Sequence, residues 1–392
     1  MHKLGWCLYL SGMSFILTCC NNGHDKKENT SLPPEMRKEM RAALRADSFY
    51  HIEITGGKLV AEALSQEKQS SKIVVWDLRS GKNYGDFPWP DSPGGRYFGI
   101  APYDDHLLYF NNHRYFRKIS LLTKKVDTIP LQTAISELIN MIVISNKAYS
   151  LGNIYGIDIV DIDNTSRQVS RRNYKGHYYN EQNNLSLPVN DSLNLVASCE
   201  VDSGQYALYA IDSTMTIRWT KMLHLKDRLV QIRSLHLPGK LLLKFDNTIQ
   251  LVAEKDGKTI WERTFDANIF NMFKVSDSEV ILFFSKYSNG GNILPSEWAG
   301  GFHYKKIIKL NLDTRMPAWE IDSIGSYGEK SLLTNNYLFD MADSGHWAKI
   351  DLQSGRYTKF AFDPGRVRLD VIRDKRSGTG YLFYGDSLYL PQ

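Results

Sequence analysis

The chain has 392 residues, a formal net charge of +5, and 42% hydrophobic and 12% aromatic residues. That apolar content supplies a packed core and excludes a chain kept disordered by its composition. The basic excess is mild and spread out, which argues against nucleic acid as a partner. Residues 1–19 belong to targeting rather than to the fold. Lys3 gives a positive start and Leu4 to Thr18 is an apolar run of signal-peptide length. The run is shorter than the roughly 20 residues a membrane-spanning helix needs.

The apolar run ends in Leu17, Thr18, Cys19 and Cys20 and turns polar at Asn21. This resembles a bacterial lipobox, with Leu three positions before the lipidated cysteine. The resemblance implies a lipid on Cys20 and a place in the cell envelope, anchored to the outer membrane on its periplasmic or surface side. Cys19 departs from the pattern, which usually has Gly, Ala or Ser there. Lipidation at Cys19, which puts Ile16 at the Leu position, and an ordinary signal peptide or uncleaved anchor are the alternatives. With Cys20 lipidated, Cys199 has no partner in the mature chain, so no disulfide framework or CxxC pair is expected.

Residues 20–33 are polar, charged and poor in apolar groups, as a flexible tether is. Residues 34–47 are expected to form one short helix, with Pro34 in its first turn and Met36, Met40, Ala43 and Leu44 at helical spacing. Its arginine-rich outer face suits anionic lipid or plain solvation.

From Phe49 to the end the pattern is of short β runs separated by Gly, Asn, Asp and Ser, so residues 48–392 are expected to be all-β. One unit recurs: an apolar strand, a tight polar turn, then another strand. Taking Ser80, Thr123, Thr165, Thr214, Asp256, Thr314 and Ser354 as equivalent turn positions, the spacings are 43, 42, 49, 42, 58 and 40 residues. A period near 42 with two insertions predicts a β-propeller of four-stranded antiparallel blades. Three short runs remain after the seventh unit, RLDVIRD, TGYLFYG and SLYLPQ. An open edge there invites aggregation, so an eighth blade closed by an N-terminal strand is the simplest account. Seven blades with an irregular closure is the alternative.

Trp219, Trp261 and Trp319 each follow their turn position by five residues. With the apolar strand and turn before them, they make the sequence resemble the PQQ-like (quinoprotein-like) propeller repeat. That resemblance implies that these tryptophans pack between neighbouring blades. It does not reach the cofactor chemistry of the quinone enzymes, because the only adjacent cysteines are Cys19 and Cys20. No cofactor is therefore expected. The chain also resembles propeller lipoproteins of outer-membrane assembly machinery and those of the Bacteroidota type, some of them TolB-like.

If the strands of a blade are lettered a to d from the axis outward, the d-to-a and b-to-c connections emerge on one face. The long aromatic connections within Phe87 to Tyr97, Asn173 to Asn184 and Lys286 to His303 all fall on it. They carry Trp89, Arg96, Tyr97, His177, Tyr178, Tyr179, Trp298 and His303, which combine apolar ring faces with polar donors suited to a glycan or a peptide. The other reading is that the rings pin the loops to the rim.

Asp158, Asp161 and Asp163 form an acidic run without the glycine and distal glutamate of a calcium loop, and strand alternation explains them. Asp104, Asp105 and His106 fit a turn before a strand. No HExxH, GxSxG or phosphate-binding glycine loop occurs, so neither catalytic nor metal-binding residues are assigned. The expected function is a non-catalytic binding or scaffolding module for an envelope protein or glycan. The alternative is a polysaccharide lyase or glycoside hydrolase on the same scaffold.

Overall fold

The computed structural model describes residues 32–392 except 46–48, 66–69, 89–99, 113–114, 133–139, 145–146, 153–155, 173–183, 187–192, 194, 203–204, 225–232, 246, 286–303, 323–330, 344, 363–367 and 375–376. Eight four-stranded antiparallel sheets account for its strands. Blade one is β2 (Phe49–Thr55), β3 (Lys58–Ser65), β4 (Ser70–Asp77) and β5 (Asn83–Pro88); blade two is β6 (Ile100–Tyr103), β7 (His106–Asn112), β8 (Tyr115–Ser120) and β9 (Val126–Pro130). Blade three is β10 (Asn140–Ile144), β11 (Lys147–Gly152), β12 (Gly156–Asp161) and β13 (Gln168–Arg172); blade four is β14 (Asn184–Ser186), β15 (Leu195–Asp202), β16 (Gln205–Ile211) and β17 (Ile217–His224). Blade five is β18 (Arg233–Leu237), β19 (Lys240–Phe245), β20 (Thr248–Ala253) and β21 (Thr259–Thr264); blade six is β22 (Ile269–Lys274), β23 (Glu279–Ser285), β24 (Tyr304–Asn311) and β25 (Pro317–Asp322). Blade seven is β26 (Leu332–Leu333), β27 (Tyr337–Asp343), β28 (His346–Asp351) and β29 (Tyr357–Ala361).

Blade eight combines the two ends of the chain. β30 (Leu369–Arg373), β31 (Gly380–Tyr384) and β32 (Ser387–Pro391) are its inner strands, and β1 (Met40–Arg45) pairs with β32 as the outermost. The closing strand comes from the segment expected to be helical. The helix α1 spans only Pro34–Arg37, and the chain is extended from Met40. The expected helix 34–47 is corrected for a physical reason. Local propensity in MRAALR is worth only tenths of a kcal/mol per residue. Pairing with β32 instead supplies partners for backbone groups that would otherwise form an open sheet edge. A bulge between Ala42 and Leu44 switches the side of the sheet that the strand presents, so that Met40 is buried against blade seven and Leu44 against blade one. Leu32, just ahead of the helix, is itself buried.

The core is not one mass but wedges of apolar side chains between successive blades. Leu242, Leu251 and Trp261 of blade five meet Met272, Leu282 and Leu310 of blade six. Phe283 and Trp319 of blade six meet Leu338 and Ile350 of blade seven. Ile54 and Leu59 of blade one meet Phe383 and Leu388 of blade eight. A middle strand is covered on both faces, so β20 is buried at five successive positions, Thr248 and Gln250 included. An outer strand is covered on one face, so β17 alternates.

Candidate functional site

The third and fourth strands of a blade are joined by a turn whose chemistry repeats. Asp77 accepts the N–H groups of Arg79 and Ser80, Asn311 those of Asp313 and Thr314, and Asp351 those of Gln353 and Ser354. The residue after six of the seven turn positions is left-handed: Gly81, Gly257 and Gly355, but also Lys124, Met215 and Arg315; Ser166, after Thr165, is not. The glycines have a reason beyond backbone freedom. A Cβ on Gly257 would lie 2.8 Å from the Trp219 ring, and one on Gly355 2.6 Å from Trp319.

Trp219 and Trp319 lie flat on the turn of the following blade, and their indole N–H groups donate to Glu254 O at 2.7 Å and Leu352 O at 3.0 Å. Trp261 meets a turn without glycine, and the Arg315 guanidinium stands 5.8 Å from its ring centroid. Lys124 makes the equivalent contact at the seam between blades one and two. Its ammonium sits 3.3 Å from the Phe87 ring centroid and donates to Tyr84 O, and burial lowers its pKa. This turn face holds the blades together.

Of the acidic run singled out in the sequence, Asp161 and Asp163 have ordinary partners, and the Asp158 side chain lies outside the described residues. Asp161 pairs with Lys147 at 3.2 Å and with Arg167 at 3.6 Å, and Asp163 lies 3.8 Å from Lys118. Asp104 and Asp105 make the turn into β7, where Leu121 N donates to Asp105 O. His106 is partly buried, which together with Lys118 lowers its pKa against the pull of Asp105, Asp104 and Asp127.

The opposite ends of the blades carry the long connections. Residues 89–99 join β5 to β6, 173–183 join β13 to β14, and 286–303 join β23 to β24. By strand order these are d-to-a, d-to-a and b-to-c links, so they attach to the same end of the blades. Trp89, Arg96, Tyr97, His177, Tyr178, Tyr179, Trp298 and His303 lie outside the described residues, as does Cys20.

Two polar groupings near the axis were not singled out from the sequence. At the long-connection end, Arg233 of β18 is the direct cross-strand partner of Lys244 on β19. Arg233 Nη1 donates to Asn271 Oδ1 of blade six at 2.5 Å, and Lys244 Nζ to Phe270 O at 3.4 Å. The only sequence signal was a lysine ending the apolar run LLLK. In the second grouping, Ser331 Oγ donates to the wholly buried Asp340 at 2.7 Å, while Arg373 Nη2 donates to Ser331 O at 2.5 Å. The Arg373 guanidinium also lies 4.3 Å from the Phe273 ring centroid. The inner strand of blade seven is only two residues long, so side chains of blades six and eight meet past it.

No protein-family model matches the chain, and no curated protein does. Among solved structures, the WD40 domain of SCAP from fission yeast is similar with a TM-score of 0.55 and 11% identity, covering 90% of this chain and 97% of that one. The computationally designed Ika8 protein is similar with a TM-score of 0.53 and 11% identity, covering 90% and 99%. At such identity the likeness is one of fold. Together with the eight four-stranded sheets, it identifies residues 32–392 as a β-propeller.

Proposed function

We propose that the chain is a non-catalytic binding or scaffolding propeller of the cell envelope, held to the outer membrane by a lipid on Cys20. It captures a protein or glycan on the face of the long connections. The observation that carries this reading is the strand order: three long aromatic connections attach to one end of the blades, while the turns of the other end are occupied in clamping blade to blade. Binding residues concentrate on loops held by a rigid scaffold, and a propeller supplies such a scaffold. The phased tryptophans 219, 261 and 319 support kinship with PQQ-like and TolB-like propeller lipoproteins.

The test is capture of envelope proteins and binding to a glycan array by the mature chain, compared with Trp89→Ala and Trp298→Ala. A ligand retained by the parent chain and lost by at least tenfold in either variant supports the reading. Equal binding by all three removes the long-connection face as the site. Metabolic labelling with a fatty-acid probe tests the anchor: label is expected on the parent chain and absent from Cys20→Ser.

A further inference from the structure

We propose that the turn face of the propeller is a membrane-contact surface, which rests on a phospholipid bilayer through exposed apolar side chains flanked by lysine and arginine. The orientation rests on the Cys20 anchor of the reading above.

The chain enters the propeller on this face. β1 runs from Met40 to Arg45 and leads to the inner strand of blade one, so Arg45 lies at the long-connection end and Met40 at the turn end. Residues 33–39 form a compact turn joined to the same end: Met36 N and Arg37 N donate to Pro33 O, and Gln392 N donates to Glu39 O. Asn335, in the a-to-b turn of blade seven, donates to Gln392 O at 2.8 Å. Only 12 residue steps separate Cys20 from Leu32, a reach of at most about 40 Å. A lipid on Cys20 thus draws the propeller to the bilayer by its turn face.

The second observation is independent of the anchor. Six large apolar side chains are exposed among the described residues, and five of them lie at the turn end. Leu122 and Met316, 60% and 63% exposed, sit in the c-to-d turns of blades two and six. Val126, Ile260 and Tyr357 fall within the first two residues of β9, β21 and β29, and only Met222 lies elsewhere. A single exposed apolar group needs no explanation, but five gathered at one end and spread over four blades give a face with several points of contact.

Each of the five has a basic neighbour. Lys124 follows Leu122 by two residues and Lys258 precedes Ile260 by two, while Lys125, Arg315 and Arg356 directly precede Val126, Met316 and Tyr357. The Lys125 and Lys258 side chains are 74% and 83% exposed, and their ion pairs with Asp127 and Asp256 are weak in solvent, so a lipid phosphate can replace the carboxylate. Apolar groups that enter the headgroup layer, beside cations that meet its phosphates, are the chemistry of interfacial membrane contact.

The experiment is lysine acetylation read by mass spectrometry, on the mature chain bound to phospholipid vesicles and free in solution. The chain is held by its own anchor or, with hexahistidine in place of Cys20, by nickel-chelating lipid. Acetylation of Lys125 and Lys258 is expected to slow by about threefold or more on vesicles, while Lys72, at the long-connection end of β4, keeps its solution rate. Leu122→Ser, Ile260→Ser and Met316→Ser combined, all at exposed positions, are expected to remove most of that slowing. Equal slowing of all three lysines, or full slowing in the triple variant, overturns the surface. Slowing without vesicles that grows with chain concentration also overturns it, and assigns the face to a second copy of the chain. Slowing on nickel-chelating vesicles by a chain that carries no fatty acid in the cell supports the surface and removes only the natural anchor. No slowing of a chain that does carry the fatty acid removes the surface and leaves the anchor.

Discussion

The seams between blades four and five and between blades six and seven differ in kind from the seam that closes the ring. In the first two, residues 33 to 35 positions apart in sequence meet: an indole covers a glycine turn and donates to its carbonyl. At the closure, partners more than 300 positions apart meet through backbone groups and a carboxylate. Asp374 accepts the N–H groups of Gly56 at 3.0 Å and Gly57 at 2.6 Å, and Arg368 donates to Phe49 O. Both glycines are left-handed, so successive N–H groups turn toward one acceptor. Sequential seams form as each blade folds against its neighbour. The closing seam must also overcome the entropy of joining the chain's ends, and strong charge-assisted bonds and a whole strand serve that purpose.

The comparison is broken most severely by deleting residues 32–45. Leu32, Met36, Met40 and Leu44 are all buried. At about 1.5–3 kcal/mol for each such side chain, the loss approaches the whole stability of a typical domain. The truncated chain is expected to expose the edge of β32 and to lose a cooperative melt, read by circular dichroism and size-exclusion chromatography. Asp374→Ala acts on the same seam with less force. It orphans the buried N–H of Gly57 and the partly buried N–H groups of Gly56 and Ser377, with an expected cost of about 2–4 kcal/mol in chemical denaturation.

The indole seams are sharpened by a pair of glycine substitutions. Gly257→Ala and Gly239→Ala meet similar backbone angles, with φ of 69° and 66°. A Cβ at Gly239 has nothing within 4 Å, whereas at Gly257 it strikes the Trp219 ring. The Gly239 variant is expected to lose about 1 kcal/mol through backbone strain alone and the Gly257 variant a further 1–3 kcal/mol through overpacking. Equal losses would show that the ring is not clamped there.

The smallest effect separates the regions by pH. His236 lies near Glu254, whose carbonyl receives the Trp219 indole. Burial lowers its pKa below 6.5 and Lys274 adds to this, against Glu254 and Asp277; its Nδ1 is buried without a hydrogen-bond partner. A histidine with a depressed folded pKa takes up protons more readily when unfolded. Its contribution to stability is therefore intact above pH 6.5 and declines as pH falls from there toward the folded value. His236→Gln is expected to flatten this part of the pH–stability curve, measured by urea unfolding between pH 7 and 5.

Much of the architecture was legible because a propeller repeats its physics. Equivalent turns recurred near 42 residues apart, and the strands RLDVIRD, TGYLFYG and SLYLPQ announced an eighth blade before a partner for them was known. The segment EMRKEMRAALRAD misled because Met36, Met40 and Leu44 fit both a helix and a strand with a bulge. Local sequence does not contain the edge of β32 that decides between them. The paired cations Arg233 and Lys244 were likewise invisible, lying 11 residues apart across a hairpin and meeting Asn271 from another blade.

Sequence alone determined the class of fold, the repeat and the in-phase tryptophans, since each depends on periodic burial and turn chemistry within a few residues. Tertiary structure decided which strand closes the ring, which glycines face an indole, and which polar groups converge at the axis. Those outcomes depend on contacts between blades, and the ring brings together residues that no local window contains.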